Sequence, residues 1–151
     1  MTPGITLGMK LKDAKAGFFD RAAVINATDK ATQRVLSKFG AFVRRSAQFS
    51  IRARDGAAPP GSPPHSHVGL LRKFILFSFD QDRRSVVIGP TLLNGKAYKD
   101  TAQALEYGGT FMRRSRTGSR MARYRARPFM VPAFDANISK LPGMWRDAIK
   151  A

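Results

Sequence analysis

The sequence predicts an α+β protein in which a long N-terminal helix and a C-terminal helix pack on a small, mostly antiparallel β-sheet. Apolar residues recur at helical spacing through residues 16–53, two short apolar runs flank a polar turn at 80–84, and helical spacing returns after residue 133. The 151 residues match one ordinary domain. Since there is no internal repeat or change of composition, we expect residues 1–151 to form a single domain.

The N-terminal part of the chain changes its period after residue 12. Ile5, Leu7, Met9 and Leu11 alternate with small or polar residues, which indicates a half-buried strand. Residues 16–53 then carry apolar side chains at spacings of three, four and seven, the pattern of one long helix with one apolar face. These side chains are Val24, Ala27, Ala31, Val35, Phe39, Phe42, Val43 and Phe49. Basic residues occupy the opposite face.

A proline-rich loop separates this helix from a predicted hairpin. Residues 55–69 contain four prolines and three glycines, which predict an exposed, semi-extended loop. Residues 70–79 and 85–89 are rich in aromatic or β-branched residues and predict two paired strands.

Two further helical segments follow the hairpin. Residues 101–107 predict two helical turns. The last stretch, 133–150, is helical in pattern, but Pro142 and Gly143 should break or kink it.

The charge of the chain is strongly positive and unevenly distributed. It has 27 Lys and Arg against 10 Asp and Glu, a net charge of +17. Residues 111–127 contain no acid and seven arginines: Arg113, Arg114, Arg116, Arg120, Arg123, Arg125 and Arg127. Because Thr117, Gly118 and Ser119 form a turn signal in the middle, this segment predicts a long basic β-arm. Such a charge favours nucleic acid, an acidic membrane surface or an acidic protein as partner.

The composition excludes several classes of protein. Without cysteine there is no disulfide framework, zinc ribbon, iron–sulfur cluster or thiol nucleophile. No apolar run approaches the roughly 20 residues of a transmembrane helix, and residues 1–12 lack the apolar core of a signal peptide. We therefore expect a soluble protein made in the cytoplasm. Among the three kinds of partner that the charge favours, we do not expect a membrane.

No residue pattern indicates catalysis. His65 and His67 lack a third metal ligand nearby, and no Gly-x-Ser-x-Gly or phosphate-binding loop is present. Asp80 and Asp82 fit a solvated turn with local ion pairs. Glu106 is the only glutamate, and we interpret it as a salt-bridge partner. We therefore expect that the protein is not an enzyme and has no catalytic residue, metal ion or cofactor.

Three segments in this order carry a resemblance to a known family. They are Gly69-Leu70-Leu71-Arg72 after the proline-rich loop, Ala104-Leu105-Glu106-Tyr107-Gly108, and Ala126-Arg127-Pro128-Phe129-Met130-Val131-Pro132-Ala133-Phe134. Together they resemble the head–tail joining proteins (neck or tail-completion proteins) of long-tailed bacteriophages, over residues 15–150. The chain departs from that pattern in having Val68 before Gly69, where threonine is usual, and Pro142-Gly143 in the closing helix.

The resemblance implies a structural virion protein that joins the capsid connector to the tail. Subunits of this family form rings, here a six- or twelve-fold homo-oligomer assembled in the host cytoplasm. Their neighbours are head-completion or stopper proteins on one side and tail-terminator or tail-tube proteins on the other. The residues implied as loop contacts are Pro63, Pro64, Gly69, Leu71 and Arg72. In this interpretation Glu106 pairs with an arginine such as Arg127 within or between subunits, Pro128 and Pro132 hold an extended linker between the arm and the last helix, and Phe129, Phe134 and Trp145 anchor that helix to the sheet. The residues expected to bind a neighbouring subunit or partner are the seven arginines of 111–127 together with Glu106, Pro128 and Phe129.

Two kinds of partner fit the basic arm, an acidic protein surface and the phosphates of DNA. Arginine pairs in two-point fashion with carboxylates and with phosphates. We favour an acidic protein surface, because a channel through which DNA slides should not grip it strongly, and keep packaged DNA as the second target. The alternative function is a sequence-tolerant DNA-binding protein that uses the basic helix and the arm. Phe111, Tyr124 and Tyr107, which lie among the arginines, would then stack on bases.

Overall fold

The computed structural model describes residues 21–91, 101–115 and 117–149 and confirms the α+β class. The elements are α1 (Arg21–Ser50), α2 (Leu70–Lys73), β1 (Ile75–Asp80), β2 (Ser85–Pro90), α3 (Thr101–Tyr107), β3 (Gly109–Ser115), β4 (Gly118–Tyr124), α4 (Met130–Ile138) and α5 (Leu141–Ile149). The described strands form two separate antiparallel pairs, β1–β2 and β3–β4. The predicted strand at 5–11 and helix residues 16–20 lie outside the described residues.

The core is built on one side of α1. Val35, Phe39, Val43 and Ala47 follow each other at a spacing of four and are buried, as expected for one face of a helix. The core cluster joins this face to residues that follow it along the chain, and its members are Phe39, Val43, Ala47, Ile51, Leu71, Ile75, Phe129 and Ala133. The long helix is thus the surface on which β1–β2, α4 and α5 are assembled.

The predicted apolar face of α1 is wrong at its two ends. Val24 is 50% exposed and Phe49 is 62% exposed. Ala47 is on the buried face of the helix, and Phe49, two residues later, lies on nearly the opposite side because each residue turns the helix by about 100°. The Phe49 ring instead contacts two guanidinium groups, those of Arg45 at 5.5 Å and Arg72 at 5.6 Å, in the arrangement of cation–π pairs.

The β1–β2 hairpin lies directly on α1 at Gly40. A Cβ atom at Gly40 would lie 2.8 Å from Val86 Cγ2 and 2.9 Å from a Phe77 ring carbon. Glycine therefore lets the sheet approach the helix, which explains this residue in a helix interior where it otherwise costs stability.

The predicted strand at 70–79 is wrong for its first five residues. Leu70–Lys73 form the short helix α2 after Gly69, whose φ of 71° is in the left-handed region. This turn directs Leu71 into the core, where it is 8% exposed. The strand itself begins at Ile75.

The C-terminal segment forms two helices, and the break lies before the proline. α4 ends at Ile138 and α5 begins at Leu141, so Pro142 falls in the first turn of α5. Proline is tolerated there because the first N–H groups of a helix have no acceptor within it. The interruption is made by Lys140, whose N–H bonds to Asn137 O at 3.0 Å.

Candidate partner-binding arm and its anchor

The predicted β-arm is a hairpin formed by β3 and β4. Its register pairs Gly109 with Tyr124 at the base and Ser115 with Gly118 at the tip. The predicted range 111–127 is too long at its C-terminal end, because the strand ends at Tyr124. We call residues 109–124 the arm.

Each face of the arm combines arginine with apolar side chains. Met112 and Met121 are directly opposite each other and are 56% and 59% exposed. Since neighbouring residues of a strand point to opposite faces, Phe111 lies on the other face, where its ring contacts that of Tyr124 in an edge arrangement with centroids 6.4 Å apart. Arginine, methionine and aromatic residues are the types enriched in protein–protein interfaces.

The charges of the arm are not balanced within the described part of the chain. Arg113 and Arg120 are exposed and directly opposite each other, a like-charge pair that destabilises a hairpin. The described ion pairs use His67, Arg83 and Arg84, and none uses an arginine of the arm. An isolated two-stranded hairpin is only marginally stable in water. An acidic partner would therefore stabilise the arm by neutralising its charges.

The base of the arm is held at Gly108. Its φ is 69°, and a Cβ atom there would lie 2.8 Å from Ala126 N and 3.0 Å from Tyr124 O. The Gly108 N–H donates to Ala104 O at 3.0 Å and so closes helix α3, the usual role of glycine just after a helix. Leu105, three residues before Gly108, accepts the Arg127 N–H at 2.6 Å, and this bond joins helix α3 to the segment that follows the arm.

Glu106 caps a helix that lies more than twenty residues further along the chain. Its carboxylate is 8% exposed and accepts three backbone N–H groups: Phe129 and Met130 bond to Oε2 at 3.0 Å each, and Val131 bonds to Oε1 at 2.8 Å. This carboxylate at the start of α4 also matches the positive end of the helix dipole. The interpretation of Glu106 as the partner of Arg127 is wrong within the subunit.

Pro132 completes the start of α4. The first four N–H groups of a helix lack acceptors within it. Glu106 accepts those of Phe129, Met130 and Val131, and Pro132 at the fourth position has none. The predicted extended linker at 128–132 is therefore helical from Met130 onward. We call residues 105–108 together with 126–131 the anchor.

The proline-rich loop is attached to the anchor. Most of its residues are exposed or half-buried and it has no regular structure, as the sequence predicts, but Ala58 and Pro64 are buried. The Gly61 N–H donates to Ala126 O at 2.9 Å, and Arg127 Nε donates to Ala58 O at 2.7 Å. Arg127 thus holds the loop within the subunit and is not an arginine of the arm.

The predicted site residues that the structure describes fall into three groups by exposure. Four are buried inside the subunit: Pro64, Leu71, Glu106 and Phe129. Exposed arginines are Arg72, Arg113, Arg120, Arg123 and Arg125, whereas Pro63, Gly69, Arg127 and Pro128 are half-buried. Arg116 and the side chain of Arg114 lie outside the described part.

The sequence interpretation missed the two exposed methionines. Met112 and Met121 are each three residues from the last pair of the register, Ser115 and Gly118, and therefore lie opposite each other. The turn signal at 117–119 is centred on Gly118, which the register places in a strand, and this hides the pairing.

Other candidate sites are weak. His67 Nδ1 lies 3.1 Å from Asp55 Oδ1, and both side chains are exposed. In the described ranges no group of three or more His, Asp or Glu residues is placed to hold a metal ion. Within the same ranges, no helix has the length and apolar character to cross a membrane.

Comparisons with protein-family models, curated proteins and solved structures found no match to this chain. The function is therefore inferred from the sequence motifs and from the geometry of the arm and the anchor.

Proposed function

We propose that the protein is a ring-forming neck or tail-completion subunit of a long-tailed bacteriophage, a structural virion protein at the junction of capsid and tail. The observation that carries the proposal is the arm, a basic hairpin held at its base by the anchor. One of its faces exposes Met112 and Met121, and the other carries the half-buried rings of Phe111 and Tyr124. A ring is closed by heterologous contacts, in which one surface of a subunit meets a different surface of the next. A projecting arm suits such a contact.

The anchor gives the motifs behind the family resemblance a common physical role. The Leu-Glu-Tyr-Gly step and the Ala-Arg-Pro-Phe block are far apart in sequence, yet Leu105 bonds to Arg127 and Glu106 bonds to Phe129. The proline-rich loop joins them through Ala58 and Gly61. Residues that fix the base of an arm are needed whatever the arm binds, which supports an assembly role without chemistry.

Ring formation is tested by measuring the mass of the full chain, alone and mixed with the proteins encoded by the neighbouring genes. We expect a closed assembly of one copy number, six or twelve, that negative-stain images show as an annulus. A chain that remains monomeric with its head-side and tail-side neighbours present contradicts the proposal.

The second candidate function is sequence-tolerant DNA binding, favoured by the net charge of +17 and by the exposed arginines of the arm. Phosphate contacts make affinity fall steeply with salt, with a log–log slope of about −0.9 per neutralised phosphate. Tight, steeply salt-dependent binding to plain duplex near physiological salt would favour this candidate. The exposed pair of Met112 and Met121 argues for a protein partner, because phosphate contacts leave methionine uncovered.

A further inference from the structure

The two faces of the arm present different chemistry to solvent. Met112 and Met121 are opposite each other in the register, and both are exposed. The next pair towards the turn, Arg113 and Arg120, is exposed as well. Since neighbouring residues of a strand point to opposite faces, the two pairs lie on opposite sides of the arm. We call these sides the methionine face and the arginine face.

The rest of the described subunit leaves both pairs uncovered. Among the described elements, the strands of the arm pack mainly against each other, and β3 also contacts α3. The aromatic rings of the arginine face are directed towards the base of the arm. Phe111 contacts Tyr124 there, and a Cβ atom at Gly109 would lie 3.2 Å from Phe111 Cε2. The arm therefore offers a methionine pair on one side and an arginine pair on the other.

A single flat partner surface could cover only one of these faces. If it covered the methionine face, Arg113 and Arg120 would stay in water as a destabilising like-charge pair. If it covered the arginine face, the apolar area of both methionines would stay in water. A sheet with one face packed and one face solvated alternates cleanly between apolar and polar residues, and the arm does not.

We propose that the arm inserts into a cleft of an acidic neighbouring protein. One wall of the cleft is apolar and covers Met112 and Met121, and the other carries carboxylates that bind Arg113 and Arg120 in two-point fashion. Three residues separate the methionine pair from Ser115 and Gly118, the last pair of the register, so the cleft is at least about 10 Å deep. The proposal rests on the proposed function, because it names the partner surface of the same arm.

Single-cysteine variants test for a cleft, because the chain has no cysteine and each variant therefore has one thiol. Ser119→Cys places the thiol on the methionine face, two residues from Met121, and Ala122→Cys places it on the arginine face, two residues from Arg120. The rate of thiol reaction with a maleimide is measured in the free subunit and in its assembly with the proteins encoded by the neighbouring genes. We expect assembly to slow the reaction at least tenfold at both positions.

The variant M112S/M121S measures what the methionine face adds to binding. Both side chains are exposed in the subunit, so their loss should leave its fold intact. We expect the affinity for the partner protein to fall at least tenfold. The control Val87→Ser removes an apolar side chain that is exposed on β2 and should leave the affinity within twofold of the wild type.

Three results would overturn the proposal. The first is slowing of only one of the two thiols in the assembly, because the arm would then lie on a single surface. The second is slowing by plain duplex DNA alone and only at position 122, which would assign the arginine face to phosphates. The third is an M112S/M121S variant that binds as tightly as the wild type. A chain that stays monomeric by mass in the same samples contradicts the proposed function itself, and the proposed cleft falls with it.

Discussion

Replacing Glu106 with glutamine is expected to lower the free energy of unfolding by about 3 kcal/mol. The carboxylate accepts three backbone N–H groups in a buried position, and hydrogen bonds to a charged group are worth about 1.5–3 kcal/mol each, less than additively. Glutamine keeps the shape but has only one acceptor oxygen. In a chain of this size, thermal unfolding should shift down by roughly 6–12 °C.

The matched control is Asp82→Asn, which removes the same charge from an exposed turn. We expect its unfolding free energy to stay within about 0.5 kcal/mol of the wild type. Chemical denaturation of the three proteins measures the difference. Equal stability of the Glu106 and Asp82 variants would contradict the role of Glu106 as the cap of α4.

Reversing the charge of the arm is expected to abolish partner binding without unfolding the subunit. In the variant R113E/R120E the two opposed residues remain a like-charged pair, so the hairpin is no less stable than before. Breaking a buried, hydrogen-bonded charge pair at an interface costs about 2–5 kcal/mol. Binding to the proposed partner protein should therefore weaken at least about 100-fold, since about 1.4 kcal/mol is a factor of ten.

A control for net charge is available on α1. The variant R34E/K38E makes the same charge change at exposed positions of the helix and should weaken protein binding less than about threefold after screening by salt. Titration calorimetry near physiological ionic strength compares the two variants. Equal losses in both would mean that net charge, and not the arm, drives binding.

The sequence predicts most of the elements, because local periodicity and turn residues determine them. The long helix, the two hairpins and helix α3 are all found, although the strand β1 begins five residues later than predicted and the register of the arm is not centred on the predicted turn. The α4–α5 break is also predicted, though its position is not. A proline interrupts a helix only beyond the first turn. Since α5 begins at Leu141, Pro142 is its second residue and does not interrupt it.

Long-range contacts explain what the sequence does not predict. Glu106, the single glutamate, is an obvious candidate for a specific contact. Its partners are backbone N–H groups, which every residue except proline has, so the sequence does not indicate which ones bind it. Phe49 satisfies the helical spacing and is still exposed, and its ring contacts the guanidinium groups of Arg45 and Arg72 instead of the core. The proline-rich loop looks solvated by composition and is held by Arg127.

Amide hydrogen exchange of the arm, compared between the free subunit and its assembly with the proposed neck partners, shows whether the arm is the binding element. We expect rapid exchange across residues 109–124 in the free subunit, because a two-stranded hairpin alone is marginally stable. In the assembly we expect strong protection of the same residues, while the anchor residues stay protected in both states. An arm that exchanges equally fast in the assembly, with protection confined to other surfaces, would contradict the proposed role of the arm.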